Sequence, residues 1–307
     1  MILVTGSEGF IGSHLVRSLR RSGKTVITYD IKKDGLSFDS AISPSTLEKI
    51  KYCFHLGAIT DTTLNDVNIV YNRNFIDSVK LFERMIQYKI PVAFASTAGI
   101  YEQESVLYHR EINPKSVYAM SKYTTEQWIN NNRDRFEDVM IFRLFNVYSI
   151  NEDMKPLHTR SFVNRFLNSA MIDGEITLFE ESDKIYRDTI HVIDVVNSLI
   201  KWMESYEHYK KHVGRKNTQY LDLGTGNPVN LFKLAKKLAI KYDAFIKFKE
   251  MPSHLKYQYQ YYTKAVPHDM FLRNHNLFDD SNKMVDVMDY AINHLQYEEQ
   301  FNKENDF

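Results

Sequence analysis

The residues best suited to chemistry in this 307-residue chain are a phenol and an amine, four positions apart in the stretch YAMSKYTTEQ. Tyr118 and Lys122 fall on a segment with helical character, where side chains at i and i+4 are neighbours. A lysine ammonium beside a tyrosine favours the phenolate and lowers the pKa of the phenol toward neutrality. The pair therefore has the chemistry of a general base.

The spacing alone decides little, because two other Tyr-x-x-x-Lys pairs occur in the chain. Tyr29 and Lys33 run off the end of a strand-like segment, so their side chains would not share a helical face. Tyr206 and Lys210 lie in the polar run ESYEHYKKH, which we predict to be a solvated helix end. The YAMSK pair is the one that opens a long helix, and we take it as the candidate.

Two hydroxyl residues precede that helix, at the end of the apolar run IPVAFAST. Ser96 and Thr97 close what we predict to be a buried parallel strand. Ligands of open parallel sheets bind outside the carboxyl ends of the strands. We therefore predict that these hydroxyls bind a substrate alcohol near Tyr118.

The first residues, MILVTGSEGFIGSH, have the pattern of a strand, a glycine-rich turn and a helix. Gly6 would allow the tight turn, Gly9 would let the backbone approach a pyrophosphate, and Gly12 would permit close contact between helix and strand. We predict a dinucleotide site here. Its expected contacts at the loop are Gly6, Gly9, Phe10, Ile11 and Gly12.

An acidic residue, Asp30, ends the second predicted strand, eighteen residues after the last glycine of the loop. A carboxylate at this position accepts hydrogen bonds from the adenosine ribose and repels a 2′-phosphate, which favours NAD over NADP. Lys32 and Lys33 are close enough to leave NADP open. We also place Ile31 and Asn74 among the predicted cofactor contacts.

Strand-like and helix-like segments alternate along the chain up to Tyr148, which is typical of a parallel sheet covered by helices on both faces. We predict an α/β fold with a doubly wound, Rossmann-like parallel sheet and a smaller, mixed α/β substrate lobe. The dinucleotide-binding lobe is expected to comprise residues 1–150 and 186–224. The substrate lobe is expected to comprise residues 151–185 and 225–307.

Composition is that of an ordinary globular protein, with 43% hydrophobic and 25% charged residues. Lys+Arg and Asp+Glu both number 39, so no basic excess points to nucleic acid. No apolar stretch reaches the roughly 18 residues that a membrane span needs, and no charged leader precedes an apolar run. We expect a cytoplasmic protein without nucleic-acid or membrane partners and without a metal site.

The order of these motifs, followed by FRLFNVY, resembles the extended short-chain dehydrogenase/reductases that modify nucleotide sugars, over nearly the whole chain. Within that family the segments IKKDG, ASTAGIY, KIYRDTIHVIDV and HLKYQYQYYT are most similar to the branch that epimerises a nucleotide-linked heptose. The resemblance implies a nucleotide-sugar substrate and a bound NAD that is regenerated in each cycle. The span from Asp30 to His55 is short, so we expect a trimmed third strand there.

The resemblance also implies roles for individual residues. Thr97, Tyr118 and Lys122 would surround the nicotinamide and the reacting alcohol. In these roles Tyr118 would carry the hydroxyl proton, and Lys122 would hold the nicotinamide ribose. Lys155 falls where the heptose branch has a second base. The positions implied to contact the substrate are Asn146, Arg187 and Tyr259.

Other functions stay open at this point. They are a UDP-hexose 4-epimerase, a nucleotide-sugar reductase or dehydrogenase, and a non-catalytic NAD-binding sensor or subunit. Dehydration is disfavoured, because Ala98 and Gly99 stand where the sugar dehydratases carry Asp and Glu. The resemblance further implies a homodimer or higher homo-oligomer, built on a helix bundle to which LFERMIQYK and YTTEQWI would contribute apolar faces.

Overall fold

The computed structural model of the protein describes residues 1–102, 111–212, 219–256, 259–266 and 284–304. Its strands are β1 (Ile2–Thr5), β2 (Val26–Tyr29), β3 (Tyr52–His55), β4 (Val92–Thr97), β5 (Val139–Leu144), β6 (Asn146–Tyr148), β7 (Glu175–Phe179), β8 (Tyr186–Arg187), β9 (Thr189–His191), β10 (Gln219–Leu223), β11 (Val229–Asn230) and β12 (Phe245–Lys249).

The helices alternate with these strands through the first half of the chain. They are α1 (Phe10–Arg21), α2 (Ile31–Asp34), α3 (Phe38–Ala41), α4 (Pro44–Leu47), α5 (Val67–Tyr71), α6 (Asp77–Gln87), α7 (Val117–Asn131), α8 (Phe162–Asn168), α9 (Val192–His212), α10 (Leu231–Tyr242), α11 (Ser253–Lys256) and α12 (Val287–Glu304). Short π-helical turns, Asn72–Ile76 and Ser169–Asp173, extend α5 and α8.

The central sheet has six strands in the order β2-β1-β3-β4-β5-β10, and each neighbouring pair is parallel. This confirms the predicted α/β fold with a parallel sheet. In the described residues the sheet ends at β2. The chain between β2 and β3 forms the one-turn helices α2, α3 and α4 instead of a further strand, as the short spacing predicted.

Helices cover both faces of the sheet because its strands are apolar on both sides. On one face α1 packs on α9 and buries Leu15 and Leu19 against Trp202. On the other face α6 contributes Phe82 and Met85 to a core with the sheet and α7. Among the described residues, no helix is long and apolar enough to cross a membrane.

A second core lies outside the sheet and joins α8, α10 and α12 around the parallel pair β7 and β12. Its residues come from the chain after β5 and after β10. Tyr148, Leu234 and Tyr290 are fully buried there. The carboxyl ends of the sheet strands face this second unit, which leaves a cleft between them.

The prediction for the YxxxK pair at Tyr206 and Lys210 is wrong in one respect. Tyr206 is only 3% exposed, and its ring packs against Tyr52 and Trp202 under the sheet. The packing of α9 on the sheet buries the ring of Tyr206. The prediction of a solvated helix end rested on the polar residues that surround Tyr206 in the sequence. The side chain of Lys210 lies outside the described part of the structure.

Candidate active site

The glycine loop is built so tightly that side chains would not fit. Gly6 has a φ of +68°, and a Cβ there would lie 2.6 Å from the backbone nitrogen of Gly57. A Cβ on Gly12 would lie 2.0 Å from the carbonyl oxygen of Gly6. Gly9 precedes α1, and no side chain caps the first amides of that helix. The loop thus presents free backbone donors at a helix N-terminus, which fits a pyrophosphate.

Asp30 follows β2 and is held by backbone donors. Its Oδ1 accepts from the Lys32 amide at 3.0 Å, and its Oδ2 accepts from the Glu8 amide at 3.1 Å. A carboxylate has about four acceptor positions, so two remain for the hydroxyls of a ribose. Lys33 forms an exposed ion pair with Glu8 at 3.3 Å. The arrangement fits the adenosine half of NAD.

A cleft of about 1320 Å³ extends from this loop to the second unit. The structure brings most of the predicted residues to its wall. The predicted residues that line it are Gly6, Gly9, Phe10, Ile11, Gly12, Asp30, Ile31, Thr97, Tyr118, Asn146, Lys155, Arg187 and Tyr259. Neither Ser96 nor Asn74 is among the lining residues, and Lys122 lies just behind the wall.

Tyr118 stands in the first turn of α7, whose amino end is capped by Ser116 through a 3.1 Å bond from the Ala119 amide. The phenol is partly buried and interacts with the side chain of Thr97. Burial raises the pKa of Tyr118 to about 12, and the contact with Thr97 acts in the opposite direction. The phenol is therefore a proton donor at neutral pH.

Lys122 is buried one turn further along α7. Its Nζ donates to the carbonyl oxygen of Ala95 at 2.7 Å and lies 4.6 Å from the centre of the Phe94 ring. Burial lowers the pKa of Lys122 to about 7, against an opposing effect of Glu126. The predicted lowering of the Tyr118 pKa by the Lys122 ammonium is not found in this structure, because burial raises that pKa and, among the described residues, Thr97 is the one influence that lowers it.

Two predicted ligand contacts lie behind the wall of the cleft. Ser96 is 1% exposed and donates to Glu126 at 2.5 Å, because neighbouring side chains of a strand point to opposite faces. Asn74 is fully buried and exchanges hydrogen bonds with the backbone of Ile59. It also donates to Ser121, next to Lys122, at 3.0 Å. The structure gives these two residues positions that support the wall.

Lys155 lies in the segment after β6, and its side chain is largely withdrawn from water. Its side chain is 21% exposed, and Nζ donates to Glu152 at 2.8 Å. Nζ also lies 4.1 Å from the centre of the Phe10 ring, at the glycine loop. The Glu152 carboxylate is fully buried and accepts from the amide and hydroxyl of Ser161. Burial lowers the pKa of Lys155, and Glu152 opposes that shift.

The far end of the cleft carries a guanidinium. Arg187 is 8% exposed, and its Nη1 is buried without a hydrogen-bond partner in the described chain. Its Cζ lies 4.9 Å from the centre of the Tyr259 ring. Asn146 donates to the Asp188 carbonyl oxygen at 3.1 Å. A partly unpaired arginine fork fits a phosphate group.

One pair at the cleft was not predicted. His158 Nε2 and Asp61 Oδ2 lie 3.0 Å apart and join the segment that carries Lys155 to the loop after β3. The two residues are 97 positions apart, so no local pattern in the sequence marks them. A search of the described residues finds no group of His, Cys, Asp or Glu that could hold a metal ion.

Comparisons with known proteins agree with this geometry. The model of the NAD dependent epimerase/dehydratase family matches residues 2–214. ADP-L-glycero-D-manno-heptose-6-epimerase of Brachyspira hyodysenteriae is 28% identical over 292 residues, which cover 86% of this chain and 89% of that protein.

Two solved structures share the fold over almost their full length. One is ADP-L-glycero-D-manno-heptose-6-epimerase of Helicobacter pylori, with a TM-score of 0.77, 22% identity and coverage of 96% of this chain and 95% of that one. The other is UDP-glucose 4-epimerase of Thermotoga maritima with UDP-glucose, with a TM-score of 0.75, 22% identity and coverage of 98% and 99%. The chain therefore belongs to the NAD-dependent epimerase/dehydratase family, and NAD is its cofactor.

Proposed function

We propose that the protein is a nucleotide-sugar epimerase that acts on ADP-glycero-manno-heptose at C6. The observation that carries this proposal is the position of Lys155. It lines the same cleft as Tyr118, it is largely withdrawn from water, and a buried carboxylate fixes its ammonium. A second proton-transfer group in the cleft suits a reaction in which both faces of one sugar carbon are used.

The glycine loop and Asp30 hold NAD in this proposal, and the domain that contains them comprises residues 1–150 and 186–224. NAD supplies the hydride acceptor and donor when bound. The reacting hydroxyl loses its proton to the Oη of Tyr118 in the oxidation step, which requires the phenolate, and regains it from the phenol in the reduction step. The Thr97 hydroxyl lies beside that Oη. Residues 151–185 and 225–307 form the substrate lobe.

Substrate orientation decides the stereochemical outcome. Oxidation makes the sugar carbon a planar ketone, and re-reduction on the other face inverts its configuration. Lys155 exchanges a proton with the hydroxyl in the second orientation, where Tyr118 is out of reach. We assign the diphosphate to Arg187, with Tyr259 and Asn146 beside it. Holding these groups together is the main contribution of the protein to the rate.

The test is to incubate the purified protein with each ADP-glycero-manno-heptose epimer, without added reductant, and to follow both by NMR. We expect both starting epimers to give the same final mixture of the two epimers. Interconversion of UDP-glucose and UDP-galactose with no effect on the heptoses would establish the 4-epimerase alternative. Stoichiometric consumption of NADH would establish a reductase.

Tyr118→Phe separates an enzyme from a binder, because it removes one hydroxyl and keeps the ring. We expect turnover to fall by at least about 100-fold, the usual scale for losing a general acid or base, while NAD binding is retained. A protein that only senses NAD would show no activity in either form.

We also propose that the chain forms a homodimer through α5 and α7. Large apolar side chains are exposed on these neighbouring helices and on the π turn between α5 and α6. They are Val67, Ile69, Ile76 and Met120. Leu81, Phe82 and Met85 of LFERMIQYK do not contribute, because they are buried in the core between the sheet, α6 and α7.

A further inference from the structure

Three residues of α7 meet three successive residues of β4. The Thr97 side chain interacts with Tyr118, and the Ala95 carbonyl accepts from Lys122 at 2.7 Å. Ser96, between them, donates to Glu126 at 2.5 Å. Because i, i+4 and i+8 lie along one face of a helix, the phenol, the amine and the carboxylate form one row. The sequence signals identified the first two members of this row and missed the third.

The third member is a buried charge. Glu126 is 0% exposed, and Arg143 on β5 holds it with two bonds, from Nε at 3.1 Å and from Nη2 at 2.6 Å. The same guanidinium donates to the Tyr101 hydroxyl, which in turn donates to Asp222. Bidentate pairing with an arginine and a third donor fix the carboxylate in place.

A negative charge near Lys122 would favour the ammonium form of its side chain. Its Nζ is buried with one carbonyl and one aromatic face as partners, and burial disfavours the ammonium form. The titratable or charged groups packed around it are His55 on β3, Tyr118 and Glu126 on its own helix, and Arg143 beyond Glu126. His55 is buried between Thr5 and Ser78, and its pKa is lowered to about 3 by burial, so it is uncharged.

We propose that Glu126 is a positioning residue that keeps the Lys122 ammonium charged and fixed against β4, so that Lys122 can act beside Tyr118. The carboxylate never reaches the cleft. It lies one helical turn after the Lys122 amine along α7, and Arg143 and Ser96 hold it in that position. This inference rests on the proposed roles of Tyr118 and Lys122, and it does not depend on which nucleotide sugar is the substrate.

The test measures the Lys122 amine directly. Protein labelled with ¹³C at the lysine Cε is titrated by NMR, and the Lys122 resonance is identified by its loss in Lys122→Met. In Glu126→Gln we expect the pKa of Lys122 to fall by at least about one unit, since an opposite charge nearby shifts a pKa by roughly 1–3 units. In Glu126→Asp, which keeps the charge, we expect a smaller shift.

Glu126→Gln leaves Arg143 buried and unpaired, which could destabilise the fold. The double variant Glu126→Gln/Arg143→Met removes both charges and carries the test in that case. We expect a smaller fall in the pKa of Lys122 there, because the loss of the Arg143 charge acts in the opposite direction. Asp138→Asn is the matched control, because Asp138 pairs with Arg133 in another buried ion pair, at 2.6 Å, away from the cleft. It should leave the Lys122 titration unchanged.

Activity gives a second readout. If the ammonium is the active form, the alkaline limb of the kcat profile moves to lower pH in Glu126→Gln and stays in place in Asp138→Asn. An unchanged Lys122 titration in both Glu126 variants would overturn the inference and leave the proposed function intact. An equal shift in Asp138→Asn would also overturn it, because the effect would then be general destabilisation.

Discussion

At the scale of single residues, burial is the largest influence on the three ionisable groups that the proposed chemistry uses. It raises the pKa of Tyr118 to about 12, lowers that of Lys122 to about 7, and lowers that of Lys155. In each case the uncharged form is favoured, because a charged group loses more hydration than a neutral one. For the two lysines a neighbouring carboxylate, Glu126 or Glu152, opposes the effect of burial.

Lys155→Met tests whether the amine in the cleft takes part in the reaction. Methionine retains most of the apolar stem that packs near Phe10, but it cannot exchange a proton. We expect epimerisation to fall by at least about 100-fold while NAD binding persists. The measurement is the rate of epimer interconversion, together with NAD affinity by calorimetry.

The matched control is Lys184→Met. Lys184 also pairs with a glutamate three residues before it, Glu181 at 2.7 Å, but its side chain is 65% exposed and is not among the residues that line the cleft. We expect activity close to that of the unmodified protein. Equal losses in both variants, or no loss in Lys155→Met, would remove Lys155 from the mechanism and with it the main argument for a heptose epimerase.

At the scale of elements, a single carboxylate ties the start of the last described segment to α9. Asp194, in the first turn of α9, accepts from the Val285 amide at 3.1 Å. Burial raises the pKa of Asp194 to about 6, and the bond from Val285 opposes the shift. The native state therefore keeps a proton that the unfolded chain loses near pH 4, so the free energy of unfolding falls as the pH rises from about 4 to 6.

Asp194→Asn should remove this loss of stability at higher pH, because the amide oxygen of asparagine still accepts from the Val285 amide and the side chain does not ionise. We expect the variant to be more stable than the unmodified protein at pH 7, by up to about 3 kcal/mol, and to lose the advantage toward pH 5. Urea unfolding at pH 5 and pH 7 measures it. Asp134→Asn, at an exposed position, is the control. A variant that is less stable at both values would contradict the assignment.

The regular elements were predictable because their signals are local. Glycines at fixed spacing after an apolar run, and alternating strand and helix patterns, mark β1, α1 and the strands that follow. Strand alternation predicts that neighbouring side chains at a strand end point to opposite faces, but it does not say which of them faces the cleft. Ser96 and Thr97 are neighbours in sequence, yet one faces Glu126 and the other faces the cleft.

Other features depend on contacts between distant parts of the chain. Asn74 was expected to touch the cofactor, and its partners Ile59 and Ser121 show that it braces the wall instead. The pair of Asp61 and His158 has no signal in either segment. The burial of Tyr118, which reverses the expected pKa shift, is a property of the packed cleft and not of its spacing from Lys122.

At the scale of the whole molecule, the sheet with its two covered faces and the second core lie on either side of one cleft. The core between the sheet, α1 and α9 fixes the glycine loop and β4, and the second core fixes α8 and the segment around Arg187. The chain that carries Lys155 crosses between them. It is held at its base by Glu152 and at its far end by the contact between His158 and Asp61. The reactive groups thus come from both units.

The homodimer is tested on the exposed apolar side chains of α5 and α7. A glutamate at Ile69, which is 50% exposed, would place a charge inside the proposed interface, where it would lose its hydration. By sedimentation we expect the unmodified protein at twice the 36.2 kDa chain mass and Ile69→Glu at the mass of one chain.

Ile240→Glu is the control, because Ile240 is 75% exposed on α10, outside this surface, and should leave the dimer intact. A monomeric unmodified protein at micromolar concentration, or equal dissociation of both variants, would show that α5 and α7 do not form the interface. Because α7 carries Tyr118, a dimer through its outer face would also hold the catalytic helix in place, and Ile69→Glu should then lower thermal stability together with assembly.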